Sequence, residues 1–274
     1  MPLTTDFPDI RRTDAGTALV STWLVPTAGL QRPAADAVHT EWEHQERPDA
    51  MLSLTTFLST DGGHLLHYAQ WTNDDDHREW AHTRRDAAVG RIDEAVPGIR
   101  RPGLVRYRRY RSYVPERPDG RRPTLLVVPA FATTGPATQR TLADAVLGVL
   151  AREQVPGLLG AHFHLSQDGT KVLNYAEWED LSAWREFADR GVSAELAAAI
   201  RAMDGVTPVP PEFPAPPEPG VPPIRAVARY HLYRSLINVP VPAGTASPAA
   251  GRAATPPRGD RDDLPRPPLS GRPG

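Results

Sequence analysis

The 274-residue sequence contains no cysteine. This absence excludes disulfide bonds, thiolate metal sites and cysteine nucleophiles. The chain also lacks any apolar run near the roughly 18 to 20 residues that span a bilayer, and its first residues lack the apolar core of a secretory signal. These absences predict a cytoplasmic protein that does not enter a membrane.

Neither sign of charge dominates, because 31 basic and 33 acidic residues leave a net charge of -2. Such a balance produces no long-range field that would attract nucleic acid or anionic lipid. The one basic cluster, RYRRYRSY at 106–113, alternates like a strand and places Tyr107, Arg109, Arg111 and Tyr113 on one face. We therefore predict no nucleic-acid partner and no membrane partner.

One segment occurs twice in the sequence. Leu58 to Trp80 reads LSTDGGHLLHYAQWTNDDDHREW, and Leu165 to Phe187 reads LSQDGTKVLNYAEWEDLSAWREF. The copies align without a gap at a spacing of 107 residues (165 minus 58), which is too long for a solenoid repeat and indicates two fused copies of one small domain. The predicted regions are an N-terminal arm (1–16), a first domain (17–116), a second domain (117–239) with a Pro-rich insertion (207–223), and a disordered Pro/Gly/Arg-rich tail (240–274).

Each copy is predicted to run β-α-β-β-α-β, the ferredoxin-like order. The second helix of the first copy is expected to have Asp76 as its N-cap residue, with Glu79 completing a capping box. The predicted strands are 18–25, 51–58, 65–71 and 103–113, then 124–131, 158–165, 171–178 and 225–236. The predicted helices are 33–46, 76–96, 138–154 and 182–203, the last as one helix or two. The fold class is α+β, with the open face of each antiparallel sheet covered by the sheet of the other copy.

A hairpin with Ser-x-Asp-Gly at its turn, followed by Asn-Tyr-Ala-x-Trp and an amphipathic helix, resembles the antibiotic biosynthesis monooxygenase family, whose members form a dimeric α+β barrel. Both copies resemble it, but only the second has the Asn, at Asn174, where the first has His67. The resemblance implies an internal pseudo-dimer, and it leaves open whether the fused chain pairs again as a homodimer.

The resemblance implies an oxygenase that acts on a polycyclic aromatic polyketide intermediate in antibiotic or pigment biosynthesis. The reaction would convert an anthrone or polyphenol to a quinone, or cleave a ring, with molecular oxygen as co-substrate and no metal or flavin cofactor. A freely diffusing reduced flavin stays open as a co-substrate. The alternative is a non-catalytic ligand-binding or stabilising protein of the same fold. Haem-degrading relatives use an Asn on the first strand, which both copies lack here.

The resemblance assigns the catalytic roles to Asn174 and Trp178, which face the same side of one strand because they are four residues apart. The amide of Asn174 and the indole N–H of Trp178 would hold the substrate oxygens. The competing interpretation is that Trp178 and its counterpart Trp71 are aromatic residues of the core. The residues expected to bind substrate are Trp71, His67, Tyr175, Trp184 and Arg201, the last one of three candidate arginines with Arg185 and Arg190.

The histidines allow two further interpretations. Either the second copy alone is active and the first is a structural partner, which we favour, or His67 is a general base in a distinct pocket. His162 and His164 share one strand face, but no third ligand follows from the sequence, so no metal site is predicted. His77 and His82 are expected to be solvated on their helix.

Overall fold

The structure is a computed structural model, and it describes residues 3–116, 120–209 and 227–238. The strands are β1 (Leu3–Thr4), β2 (Thr17–Leu24), β3 (Met51–Ser59), β4 (His64–Trp71), β5 (Leu104–Tyr113), β6 (Leu125–Val127), β7 (Ala130–Thr133), β8 (Leu158–Ser166), β9 (Lys171–Trp178), β10 (Val206–Val209) and β11 (Arg229–Ile237). The helices are α1 (Gln31–His44), α2 (Asp74–Ala95), α3 (Pro136–Glu153), α4 (Leu181–Arg190) and α5 (Ala194–Arg201), with a 3₁₀ turn at Ala28–Leu30.

Eight strands close into an antiparallel barrel in the order β11, β3, β4, β2, β5, β8, β9, β6 and back to β11. The last strand of each half joins the two halves. β5 pairs with β2 of its own half and β8 of the other, and β11 pairs with β6 and β3 in the same way. The predicted α+β fold of two ferredoxin-like units forming a pseudo-dimeric barrel is therefore confirmed, with hydrogen bonds joining the two sheets edge to edge.

Alternation along the strands divides the core into three parts. Residues that point inward, such as Phe57, Tyr68 and Tyr175, fill the barrel, which we call the lumen. Residues that point outward pack under the helices, and we call these regions the first layer, around Trp71, and the second layer, around Trp178. Neighbouring residues on one strand therefore belong to different compartments.

The repeated Ser-x-Asp-Gly sequence builds the hairpin turn in both halves. The Ser59 hydroxyl donates to Asp61 Oδ1 at 2.6 Å and accepts from the His64 N–H at 2.9 Å. In the second half the Ser166 hydroxyl donates to Asp168 Oδ1 at 2.6 Å and accepts from the backbone N–H five residues on. The glycine of each turn has φ near +80°, where residues with a Cβ are strained. The most repeated part of the sequence is therefore structural.

A buried glutamine from the first helix of each half holds the base of its hairpin. Gln139 Nε2 lies 3.1 Å from the Ser166 carbonyl and 2.8 Å from the Lys171 carbonyl, and Gln31 binds the equivalent carbonyls. We expect Gln139→Leu to lower the free energy of unfolding by about 2 kcal/mol, because two buried carbonyls lose their donor. Urea denaturation followed by tryptophan fluorescence measures this. Arg140→Leu, on the exposed side of α3, should leave stability within about 0.5 kcal/mol.

Two predicted element boundaries were wrong. Helix α2 begins at Asp74, and the N-cap residue is Asn73, whose side chain accepts from the Asp76 N–H; Asp76 itself is not the cap. The predicted strand 124–131 is two strands, β6 and β7, which are separated at Pro129. Proline has no N–H to donate to a ladder, so the pairing with β9 breaks there.

The predicted faces of β5 were also partly wrong. A bulge between Arg109 and Arg111 shifts the register against β8. Tyr107 and Arg109 lie opposite lumen strand positions, whereas Arg111 reaches Asp144 on α3, and Tyr113 packs against the second layer. One extra residue at a bulge turns all later side chains to the other face.

The domain boundaries stay predictions. The described residues form one compact unit by their contacts. Of the Pro-rich insertion, 207–209 belong to β10, while 210–223 and the tail at 240–274 lie outside the described residues. Within the described ranges, no helix combines the length and the apolarity needed to cross a bilayer.

Candidate active site

The first layer encloses a cavity of about 180 Å³ between the sheet and helices α1 and α2. Four of the six tryptophans in the chain line it: Trp23 from β2, Trp42 from α1, Trp71 from β4 and Trp80 from α2. Trp42 and Trp80 stack with their ring centroids 4.7 Å apart, and Trp80 lies 6.0 Å from Trp71. Flat aromatic walls of this kind suit a flat aromatic ligand.

His67 supplies a polar group to the same cavity. It lies four residues before Trp71 on β4, so both side chains point into the first layer. Its Nδ1 lies 3.1 Å from Thr56 Oγ1, its ring meets Trp23 edge-on at 4.5 Å, and its Nε2 is buried without a hydrogen-bond partner. Burial lowers the pKa of His67 to about 3, with a smaller contribution from the positive charge of Arg101. The imidazole is therefore neutral near pH 7.

Arg101 and Trp80 complete the polar part of the cavity. The Arg101 guanidinium lies 4.1 Å from the ring centroid of Trp23 and forms an ion pair with Asp93 at 2.8 Å. The Trp80 indole nitrogen, like His67 Nε2, is buried without a hydrogen-bond partner. Buried polar groups in proteins are nearly always paired, so these two atoms, together with the unpaired Nε of Arg101, indicate a site that a polar ligand or water would complete.

The second layer holds the predicted catalytic pair. Asn174 and Trp178 both face the helices from β9, with 9% and 2% of their surfaces exposed. Trp178 lies in an aromatic cluster, 5.3 Å from Trp184 and 5.2 Å from Phe187 between ring centroids. Asn174 Oδ1 and the indole nitrogens of Trp178 and Trp184 are buried without hydrogen-bond partners.

The two layers differ at the strand position that pairs with His67 in the first half and with Asn174 in the second half. Thr56 lies opposite His67 and bonds to it, whereas Phe163 lies opposite Asn174 and offers no polar group. Phe163 belongs to the apolar cluster of the second layer together with Trp178. The polar group of the first layer is therefore oriented by a neighbour, and that of the second layer is surrounded by apolar side chains.

The other predicted site residues do not converge on one place. Tyr175 faces the lumen, where its ring packs 5.2 Å from Tyr68, and burial raises its pKa well above the usual value. Arg201 ends α5 and is exposed, as are Arg185 and Arg190 on α4. Only Trp184 lies beside Trp178 in the second layer.

Sequence reasoning missed Trp23, Trp42, Trp80 and Arg101 as site residues. The aromatic residue after each Tyr-Ala-x-Trp segment was a visible signal for Trp80, but the others depend on how the helix and loops dock. His77, expected to be solvated, is buried against Trp71 at a centroid distance of 5.0 Å, and burial together with the charge of Arg106 lowers its pKa to about 4. A group of three side chains suited to hold a metal ion is not found among the described residues.

Comparison with known proteins relates the second half of the chain to one family. Residues 125–204 match the family model described as antibiotic biosynthesis monooxygenase. Tetracenomycin-F1 monooxygenase of Streptomyces glaucescens is 35% identical over 65 residues, which is 23% of this chain and 58% of the length of that protein. A monooxygenase from the gene ActVA-Orf6 of Streptomyces coelicolor, solved with nanaomycin D, is 34% identical; the match covers 35% of this chain and 94% of that one, with a TM-score of 0.28.

An anthrone oxidase-like protein shares the fold over most of the chain. The match covers 86% of this chain and 96% of that one at a TM-score of 0.59, with 16% identity. The family model falls in the second half, and the internal repeat relates the first half to it. The chain belongs to the antibiotic biosynthesis monooxygenase family.

Proposed function

We propose that this protein is an oxygenase that oxidises a reduced polycyclic aromatic polyketide, such as an anthrone, with molecular oxygen. The observation that carries the proposal is the tryptophan-walled cavity of the first layer, with the unpartnered polar atoms of His67, Trp80 and Arg101. The named monooxygenase relatives support the general class of reaction. In the net reaction, a ring CH₂ becomes a carbonyl while one O₂ supplies that oxygen and leaves its second atom as water.

The reaction requires the protein mainly to bind the phenol and to stabilise its anion electrostatically. A phenol reduces oxygen readily once it is deprotonated, so the site must stabilise an oxyanion and exclude bulk water. The His67 tautomer in which Thr56 donates to Nδ1 carries its proton on Nε2, facing the unpaired side of the ring. That N–H can donate to a phenolate oxygen, and the nearby Arg101 charge favours the anion.

His67 suits a hydrogen-bonding role better than that of a general base. A base is most effective when its pKa lies near the working pH, and burial holds the pKa of His67 at about 3. Binding of a phenolate beside the ring would raise that pKa again, because an adjacent negative charge favours the protonated form.

The size of the cavity limits what enters it. Its volume of about 180 Å³ is below the roughly 300 to 1,000 Å³ of most small-molecule sites. We infer that the reacting ring inserts between the tryptophans while the rest of the molecule extends past Trp80.

The second layer is the second candidate site for the same reaction. The unpartnered Asn174 Oδ1 and Trp178 indole nitrogen favour it, since both would be satisfied by a polar ligand. In that case Asn174 and Trp178 hold the substrate oxygens, with Trp184 beside them and Tyr175 and Arg201 at a distance. The competing function, non-catalytic binding or stabilisation, would use the same site without oxygen chemistry.

Oxygen uptake with an air-sensitive anthrone such as dithranol tests both the function and the site. We expect protein-dependent uptake with quinone formation, and we expect the double variant His67→Ala with Trp71→Phe to lower kcat at least tenfold, because the oxyanion donor is lost. The matched variant in the second half is Asn174→Ala with Trp178→Phe. If that variant alone loses activity, the reaction takes place in the second layer.

Reduced flavin is added in a parallel series. Uptake that requires it would favour ring cleavage over direct quinone formation. Tight dithranol binding without uptake in either series would identify a binding protein and contradict the oxygenase.

A further inference from the structure

A cavity of about 700 Å³ lies at the end of the lumen where β4 and β9 begin. Both halves line it with residues that the repeat relates to one another, including Leu66 with Leu173 and Tyr107 with Tyr230. Its volume falls within the range of small-molecule sites. We call this cavity the mouth.

The mouth lies on the other face of the sheet from both candidate active sites, and it adjoins the first-layer cavity at Gly103 and Leu104, which line both. Leu66 and Leu173 point into the lumen, while the next residues on the same strands, His67 and Asn174, point into the layers. The thickness of the sheet therefore lies between them. A ligand in the mouth would be held by both halves at once.

The charge of the mouth is asymmetric. Lys171, the single lysine of the chain, lines it together with Arg78 and Arg106, against Asp168 as the one carboxylate among the described lining residues. Asp168 is engaged in the hairpin turn through Ser166 and Thr170. The first-half counterpart of Lys171 is His64.

Lys171 differs from the two arginines in having no committed partner. Arg106 pairs with Asp74 at 3.2 Å and Arg78 with Asp75 at 3.1 Å. Within the described ranges, Lys171 forms no ion pair, although its charge adds to the hydrogen bonds from Ser166 and Thr170 that lower the pKa of Asp168. The Lys171 residue is half-buried, and its ammonium group is best satisfied by an anion that a ligand brings.

We propose that the mouth binds an apolar carboxylic acid, with its hydrocarbon part in the mouth against Leu66, Leu173 and Val20 and its carboxylate on Lys171. Burial of the hydrocarbon provides most of the affinity, in proportion to the apolar area removed from water. The ammonium group selects the anionic end. This binding site is independent of the oxygenase reaction.

Fluorescence titration with cis-parinaric acid, an 18-carbon conjugated acid, tests the proposal with its methyl ester as the uncharged probe. We expect the acid to bind at micromolar Kd and more tightly than the ester. Lys171→Gln should weaken acid binding about tenfold and leave ester binding unchanged, because only the acid uses the charge. Val105→Trp, which narrows the mouth from a half-buried position, should weaken both probes.

Val114→Trp is the matched control for Val105→Trp, since Val114 lies at the opposite end of the lumen. Circular dichroism confirms that each variant is folded. The proposal is overturned if Lys171→Gln leaves the acid-to-ester ratio unchanged, or if Val105→Trp and Val114→Trp act alike. It is equally overturned if Trp80→Phe, in the first layer, abolishes binding while Val105→Trp does not.

Discussion

Acidification from pH 7 to about pH 4.5 should unfold this protein steeply. His39, His67, His77 and His164 are buried, and burial lowers the pKa values of His67 and His164 to about 3 and those of His39 and His77 to about 4. In the unfolded chain a histidine titrates near its ordinary pKa of roughly 6.5. Below that pH the unfolded chain therefore binds protons that the native protein does not.

The sign and size of the change in the free energy of unfolding follow from this difference in bound protons. The native protein has its full stability above about pH 6.5, and it loses stability as the pH falls towards the native pKa values of about 3 to 4. Near pH 5 the unfolded state holds between three and four more protons, so the free energy of unfolding should fall by roughly 5 kcal/mol per pH unit. Domains are commonly stable by only about 5 to 15 kcal/mol, so about one to three units of acidification suffice.

Urea denaturation at several pH values between 5.5 and 7.5, followed by tryptophan fluorescence, measures the slope. His67→Asn places the second-half residue at the equivalent position and should reduce the slope by about one proton. His82→Asn, at an exposed position on α2, should leave it unchanged. If the free energy of unfolding of the wild type changes with pH by an amount that corresponds to less than one proton at pH 5.5, these histidines are protonated in the native protein.

The repeat, the hairpins and the fold class could be predicted because they depend on local sequence. Ser59, Asp61 and Gly62 form their turn from their own side chains and backbone, so the pattern carries the structure with it. Alternation on β4 and β9 also placed residues four apart on one face. Closure of the barrel by β5 and β11 was expected in outline, since each sheet needed a cover.

The wrong predictions concern features for which the local sequence allows several structures and tertiary packing determines which one forms. Asn73 and Asp76 can both cap a helix, and only the docking of α2 selects Asn73. His77 reads as a polar residue among charged neighbours, but the rotation of α2 puts it against Trp71. The β5 bulge at Arg109 has no signature in an alternating sequence.

The location of the first-layer cavity could not be predicted from the sequence for the same reason. The Asn-x-x-x-Trp pattern directs attention to Asn174, whereas the described cavity lies beside His67 in the other half. Its walls come from the sheet and from three further elements, with Trp42 on α1, Trp80 on α2 and Arg101 in the loop before β5. Their distances depend on helix packing, which no single motif encodes.

Filling the first-layer cavity should abolish oxygenation if the proposed site is correct. Ala69 lies between His67 and Trp71 on β4, lines the cavity and is only half-buried. The ring of Ala69→Phe would occupy the space between the tryptophans without removing any polar group. We expect kcat/KM for dithranol to fall at least 100-fold, because the reacting ring can no longer enter.

The matched variant is Ala176→Phe, at the equivalent position between Asn174 and Trp178. Ala176 is buried in the apolar cluster of the second layer, so this variant should lose stability through overpacking yet keep its activity while folded. Thermal denaturation separates the two effects, and kcat/KM is measured well below each transition. Full activity in Ala69→Phe with loss in Ala176→Phe would move the reaction to Asn174 and Trp178, because a blocked cavity that still turns over substrate is not where the substrate binds.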